Sequence, residues 1–238
     1  MPFYYYGMYA NSYYMFGTLL VLLASLLAIY AQTKVQSTYK RYKRIPNQRG
    51  ITGARIAQEI LDSHGLGDIA IYEVQGQLSD HYNPGKRTIN LSSDIYNGTS
   101  IAALAVAAHE CGHAIQYQEK YMPIKLRNSI LPIANIGQYL GWFAIVLGLA
   151  IGHTNIAWIG FVLMCGILAF QVITLPVEFD ASRRALEILG DRYLTREEYP
   201  GAKKMLSAAA LTYVAGMIST LMSMLRIFLM ILGNSRDD

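Results

Sequence analysis

The sequence predicts an α-rich integral membrane protein with about four transmembrane helices and a small α+β cytoplasmic domain that contains a short β-sheet. Hydrophobic residues make up 53% of the 238 residues, and the mean hydropathy is +0.24, above the composition of an ordinary soluble domain. Three long stretches carry no charged side chain, whereas the cations gather between them. The membrane spans are therefore the first elements to place.

The first transmembrane helix is predicted within residues 1–33, which carry no charged side chain. The segment from Met15 to Ala31 is almost continuously apolar and long enough to cross a hydrocarbon core of about 30 Å. A cleaved signal peptide has basic residues before its apolar run, but here they follow it, so we expect a retained N-terminal anchor. Six of the eighteen tyrosines fall in the first fourteen residues, which predicts an aromatic belt at the membrane surface.

Residues 128–177 are a second stretch without Asp, Glu, Lys or Arg, and they are too many for a single span. One helix of this length would measure about 75 Å, more than twice the hydrocarbon thickness. A turn at residues 152–155 (GHTN) divides the stretch into two adequate arms. We therefore expect a transmembrane hairpin that contains spans two and three.

The last span is predicted from Met205 to Leu225, within a C-terminal transmembrane helix and tail that cover residues 205–238. Arg226 can extend its charge toward the membrane surface from the end of this span. Because residues 227–232 are apolar again, a re-entrant or interfacial ending stays open as an alternative.

The basic residues predict the orientation in the lipid bilayer, because four spans would place all of their loops on one face. They are Lys34, Lys40, Arg41, Lys43, Arg44 and Arg49 after span one, Lys120, Lys125 and Arg127 before span two, and Arg183, Arg184, Arg192, Arg196, Lys203 and Lys204 before span four. By the positive-inside rule this face is cytoplasmic, and the N-terminus, the loop at His153 and the C-terminal tail lie outside. The topology signal also explains the run YKRYKR, so no nucleic-acid partner is predicted.

The two cytoplasmic segments, residues 34–127 and 178–204, can together form one modest domain. In the first segment, Thr52 can cap a helix with apolar residues at positions 56, 60 and 61, which Gly65 ends. Strands are predicted over residues 69–74, 77–82 and 87–91, with residues 83–86 (NPGK) as the turn of a hairpin. Thr99 or Ser100 can then cap a helix that runs toward Gln118.

That helix contains the sequence HECGH. His109 and His113 are four residues apart, so their side chains project from one face of the helix and can bind a single metal ion. Glu110 occupies the usual position of the carboxylate that accepts a proton from metal-bound water in a metalloprotease. An ordinary amphipathic helix is the alternative, but it does not account for three ionisable groups in an alanine-rich helix. Gly112 is expected to keep the adjoining helix surface low.

A catalytic zinc ion needs a third protein ligand, and Glu178 in LPVEFDASRRALEILG is the best candidate. Pro176 is expected in the first turn of a new helix and Gly190 at its end, so that Glu178, Ser182 and Ala185 share a face. The hairpin returns this segment to the side of the membrane that carries HECGH. This return favours a ligand over the alternative, a charge that only marks the membrane boundary.

HECGH, followed by a membrane hairpin and then VEFDASRRA, resembles the YugP-type neutral zinc metallopeptidases of bacterial membranes, and more distantly the HtpX and CaaX-protease group of gluzincins. The resemblance covers nearly the whole chain and implies a zincin-like domain in a multi-pass protein of the bacterial plasma membrane. It implies one zinc ion per chain, bound by His109, His113 and Glu178, with Glu110 as general base. HtpX-like relatives commonly have Asp at the position of Ser182, where it orients a ligand histidine. Ser182 would do this more weakly, and Asp180, about 200° around the helix from Glu178, is a poor substitute.

The predicted reaction is the hydrolysis of peptide bonds in a protein or peptide substrate. Zinc activates a water molecule, Glu110 accepts its proton, and the resulting hydroxide attacks the peptide carbonyl. His81, Tyr82 and Arg183 are the candidates to stabilise the oxyanion, and the sequence does not choose among them.

Two other functions are weighed against this one. An intramembrane, site-2-like metalloprotease would make residues 101–118 a membrane span, which puts Lys120 and the following cations on the wrong side for the positive-inside rule. A non-catalytic membrane scaffold would hold its metal only for stability, but structural zinc sites normally have four protein ligands.

Overall fold

The computed structural model describes the backbone of residues 2–234 and the side chains of residues 14–233. The helices are α1 Pro2–Tyr42, α2 Gly53–Ser63, α3 Ser93–Tyr96, α4 Ile101–Gln118, α5 Met122–Ala150, α6 Thr154–Arg192 and α7 Tyr199–Asn234, and the strands are β1 Ala70–Val74, β2 His81–Asn83 and β3 Thr88–Ser92. The chain divides into two compact units. Residues 1–30, 125–174 and 213–238 form the membrane unit, and residues 31–124 and 175–212 form what we call the HECGH unit.

The membrane unit consists of parts of α1, α5, α6 and α7, which are the described helices long and apolar enough to cross a membrane. The predicted α-rich integral membrane fold with four spans is confirmed. Helices α5 and α6 form the expected hairpin, and its turn contains Gly152 at a φ of +73°, a conformation that favours glycine. Small residues let the two helices approach, since a Cβ added at Gly141 would lie 2.8 Å from the carbonyl oxygen of Gly160.

Helix α7 continues without a break to Asn234, so the alternative of a re-entrant ending after Arg226 is wrong. Its apolar residues Ile227 and Ile231 are buried in a cluster with residues of the α5–α6 hairpin, and this packing stabilises the last part of the helix. The Arg226 guanidinium lies 5.2 Å from the centre of the Tyr14 ring. The other tyrosines of the predicted aromatic belt and the C-terminal tail lie outside the residues whose side chains are described.

A three-stranded sheet of order β1-β3-β2 lies in the HECGH unit. Strand β1 pairs parallel with β3, and β2 pairs antiparallel with β3 as the predicted hairpin. The strand expected over residues 77–82 begins only at His81. Gly76 and Leu78 have φ angles of +106° and +54°, which an extended strand does not allow.

Helix α4 forms the centre of the HECGH unit, and 14 of its 18 residues are buried. Its alanines explain this burial, because small side chains let neighbouring elements pack on every side of the helix. The two predicted caps are present: Thr52 Oγ1 accepts a hydrogen bond from the Arg55 N–H at 3.2 Å, and Ser100 Oγ accepts one from Ala103 N–H at 3.1 Å.

Helix α6 passes through Pro176, so the prediction that this proline begins a new helix is wrong. Proline has no N–H and leaves one carbonyl of the preceding turn without its helical partner. A stripe of fully buried residues at four-residue spacing follows the proline and packs this part of α6: Val177, Ala181, Ala185 and Leu189. Glu178 and Ser182 still share a face, as expected.

Candidate metal centre

Two histidines project from the middle of α4. The rings of His109 and His113 lie edge to face, with centroids 4.7 Å apart and an interplanar angle of 80°. Their four-residue spacing on a regular helix places both Nε2 atoms toward one point, as the sequence predicts.

Glu178 reaches the same point from α6. Its Oε2 atom lies 3.3 Å from His109 Nε2 and 3.6 Å from His113 Nε2. The approach of the two helices depends on Gly112, because a Cβ added there would lie 2.7 Å from the carbonyl oxygen of Ala181. The expectation that Gly112 keeps the helix surface low is confirmed.

The three side chains fit a small cation. Glu178 is only 3% exposed, and its Oε2 accepts no hydrogen bond from any residue that the structure describes. A buried carboxylate oxygen without a donor is costly unless a cation compensates it. The ligand atoms of His109, His113 and Glu178 lie within 4.8 Å of one another. Zinc bonds of 2.0–2.2 Å in tetrahedral geometry separate neighbouring ligand atoms by about 3.3 Å, close to the two distances measured here.

The opposite nitrogen of each ring has its own partner. Ser182 Oγ lies 3.2 Å from His109 Nδ1, and Gln116 Oε1 lies 3.1 Å from His113 Nδ1. With each Nδ1–H donating to these oxygens, both Nε2 atoms keep a lone pair for a metal. Ser182 is therefore placed where a ligand-orienting residue would lie.

Gln116 is a further residue of the site, in contact with His113, that the sequence did not predict. Its side chain is fully buried, and its Nε2 donates to Val177 O at 2.8 Å and to Asp180 Oδ2 at 2.9 Å. Asp180 therefore contacts Gln116, which in turn contacts His113. The available signal was the position of a glutamine three residues after His113, on the same side of an alanine-rich helix.

Glu110 lies beside the histidines and is 7% exposed. Its Oε2 accepts a hydrogen bond from the Tyr82 backbone N–H at 2.9 Å, which fixes the carboxylate against edge strand β2. Burial and the carboxylates of Glu110 and Glu178 change the pKa of His113. Burial alone lowers the pKa of His113, but the negative charges of Glu178 and Glu110 outweigh burial and hold that pKa above its ordinary value.

The three oxyanion candidates have different surroundings. The Arg183 guanidinium pairs with Asp180 and with Glu187, and it is largely exposed. The exposed His81 ring has Ser79 O 2.9 Å from Nδ1 and Asn90 Nδ2 3.2 Å from Nε2. Tyr82 is the candidate whose own backbone contacts Glu110.

Comparisons with known proteins identify the family of this chain. The model of the family described as "Putative neutral zinc metallopeptidase" matches residues 17–232. The chain belongs to this family. It is also 42% identical over 213 residues to "Putative membrane protease YugP" of Bacillus subtilis (strain 168), an alignment that covers 89% of this chain and 94% of the relative. The resemblance drawn from HECGH and VEFDASRRA is thereby confirmed. No solved structure matches the chain.

Proposed function

We propose that the chain is a membrane-bound zinc metalloendopeptidase in which His109, His113 and Glu178 bind one catalytic zinc ion and Glu110 is the general base. The observation that carries the proposal is the buried Glu178 Oε2 atom, which accepts no hydrogen bond from the residues whose side chains are described and faces two imidazole nitrogens at 3.3 and 3.6 Å. Two imidazole nitrogens and one carboxylate oxygen form one of the ligand sets of catalytic zinc sites, which keep a further position open. When bound, zinc acidifies water and polarises a carbonyl group.

The residues of the chain divide the remaining tasks. The Tyr82 N–H holds Oε2 of Glu110, so the carboxylate is fixed beside the two histidines. From this position Glu110 accepts the proton of the attacking water and passes it to the leaving amine. Ser182 and Gln116 orient the two imidazoles, which keeps the ligand atoms in place during the reaction. The substrate is a protein or peptide chain.

The proposed topology places residues 34–127 and 178–204 in the cytoplasm and the N-terminus outside, with the 128–177 hairpin and the two terminal spans in the membrane. The cation distribution supports it. The intramembrane rival needs α4 as a span, yet α4 lies in the core of the HECGH unit and is not among the described helices apolar enough to cross a membrane. Cysteines substituted for Arg49 and Lys120 should both react with a membrane-impermeant thiol reagent only from the cytoplasmic side. Reaction of position 120 from the outer side would favour the rival.

Casein cleavage and zinc content together test the enzymatic role. Glu110→Gln keeps the shape of the side chain but cannot accept a proton, so it should lose activity and retain zinc. Glu73→Gln removes an exposed carboxylate on β1 and serves as the control, with activity and zinc unchanged. If Glu110→Gln cleaves casein as fast as the wild type, Glu110 is not the base. If the wild type holds zinc but cleaves no substrate, the scaffold function is favoured.

A further inference from the structure

A basic groove lies in the HECGH unit, away from the metal centre, between the C-terminal part of α1 and the N-terminal part of α7. Its cavity volume is about 790 Å³. Four cations line it, two from each helix: Lys34, Arg41, Lys203 and Lys204. Hydroxyl groups from both helices join them, and none of the described residues that line the groove carries a carboxylate.

Buried residues on the other side of each helix fix the cations in this groove. On α1, Val35 and Tyr39 are buried in the hydrophobic core, and on α7, Met205 and Leu206 are buried there as well. The helices come close at one end of the groove, where a Cβ added at Gly201 would lie 2.8 Å from Tyr42 Cε1. The position of the positive charges is therefore set by core packing and not by flexible loops.

The four cations of the groove differ in their pairing from other cations of the HECGH unit. None of them forms a salt bridge with a carboxylate in the described part of the chain, whereas Lys43, Arg87 and Arg184 of the same unit each have one. Like charges held on one concave surface repel each other and attract an anion. The groove therefore has the charge of an anion-binding site.

The lining residues adjoin two membrane spans, which indicates what kind of anion the groove binds. Lys34 directly follows the charge-free segment of span one, and the lining residues Ala208 and Leu211 belong to the apolar segment of span four. The cationic part of the groove thus continues into apolar side chains where both helices enter their membrane-spanning segments. We propose that this groove binds an anionic phospholipid of the surrounding leaflet, with its phosphate on the four cations and its glycerol and acyl chains beside Ala208 and Leu211. A free phosphate ion would use only the cationic part.

Native mass spectrometry of the full chain in detergent micelles tests this site, with dioleoyl phosphatidylglycerol and dioleoyl phosphatidylcholine as probes. The wild type should retain phosphatidylglycerol in preference to phosphatidylcholine at equal concentration. One cation near a lipid phosphate changes affinity by about fivefold, so Lys203→Gln with Lys204→Gln should weaken phosphatidylglycerol binding about 30-fold. Ser207→Trp fills the groove without changing its charge, and it should also reduce binding.

The matched control is Lys86→Gln with Arg196→Gln, which removes two exposed cations of the same unit that do not line the groove. It should bind phosphatidylglycerol like the wild type. Equal weakening in the control and the groove pair would overturn the proposal, because attraction by net charge would then suffice. Displacement of phosphatidylglycerol by an equal concentration of inorganic phosphate would also overturn it, since the occupant would be a small anion.

Discussion

The contact between Gly112 and α6 gives the most specific prediction of the metal centre. In Gly112→Ala the new Cβ would lie 2.7 Å from Ala181 O, whereas ordinary contacts begin at 3.4 Å. Helix α6 must therefore retreat by about 0.7 Å, because the obstacle is backbone and not a flexible side chain. Glu178 lies one turn from Ala181 and would move with it. Metal–ligand distances tolerate deviations of only about 0.2 Å, so the Glu178 ligand should be lost or strained.

The expected magnitude follows from the cost of overpacking. Extra methyl groups in packed interiors cost about 1–3 kcal/mol, which corresponds to a roughly 5- to 150-fold weaker zinc affinity if the strain is released at the metal. Zinc Kd is measured by competition with a chelator on the purified chain in detergent. Gly216→Ala is the matched control, because no atom in the described part of the chain lies within 4 Å of its added Cβ, and its Kd should equal that of the wild type. A folded Gly112→Ala variant with wild-type zinc affinity would refute the close approach of α4 and α6 as a requirement.

Three further predictions concern the partners and protonation of the histidines. Ser182→Ala should weaken zinc binding about tenfold, because the Nδ1–H of His109 loses its acceptor. Ser182→Asp should restore or strengthen zinc binding, because a carboxylate holds that Nδ1–H more firmly, and chelator competition measures the zinc affinity of both variants. Gln116→Ala should weaken zinc binding about 10- to 100-fold and lower the free energy of unfolding by about 1–3 kcal/mol, since the Nδ1–H of His113 loses its acceptor and the buried hydrogen bonds of Gln116 to α6 are lost. Equal zinc affinity and an equal denaturant midpoint would contradict this. Zinc binds only the neutral form of His113, whose pKa lies above 6.5. Zinc affinity should therefore fall as the pH drops through that raised pKa, by about tenfold per pH unit for one titrating histidine. An unchanged zinc Kd between pH 8 and 6 would contradict this.

The membrane spans and the HECGH helix could be predicted from the sequence because their signals are local. Long charge-free stretches are stable in the lipid bilayer, where their apolar side chains avoid water. Residues four positions apart, such as His109 and His113, share a face in any α-helix. Glu178 needed one more step, the return of the chain through a hairpin. Helical geometry and topology were enough to predict the three residues of the candidate metal centre.

The missed features depend on tertiary contacts. Pro176 normally begins or breaks a helix, but the buried stripe from Val177 to Leu189 keeps α6 continuous through it. The strand expected from Gln77 begins only at His81, because Gly76 and Leu78 have positive φ angles. The hydropathy pattern does not predict such backbone angles. Gln116 gains its role from a carbonyl and a carboxylate on α6, residues more than sixty positions away in sequence.

X-ray absorption at the zinc edge tests the proposed metal centre most directly. The purified wild type should contain one zinc ion per chain, with two imidazole nitrogens and oxygen donors at about 2.0–2.2 Å. Glu178→Ala should lose zinc or replace the carboxylate oxygen in its spectrum. A zinc spectrum dominated by sulfur ligands at about 2.3 Å, or one unchanged in Glu178→Ala, would contradict the assignment of His109, His113 and Glu178 as the zinc ligands.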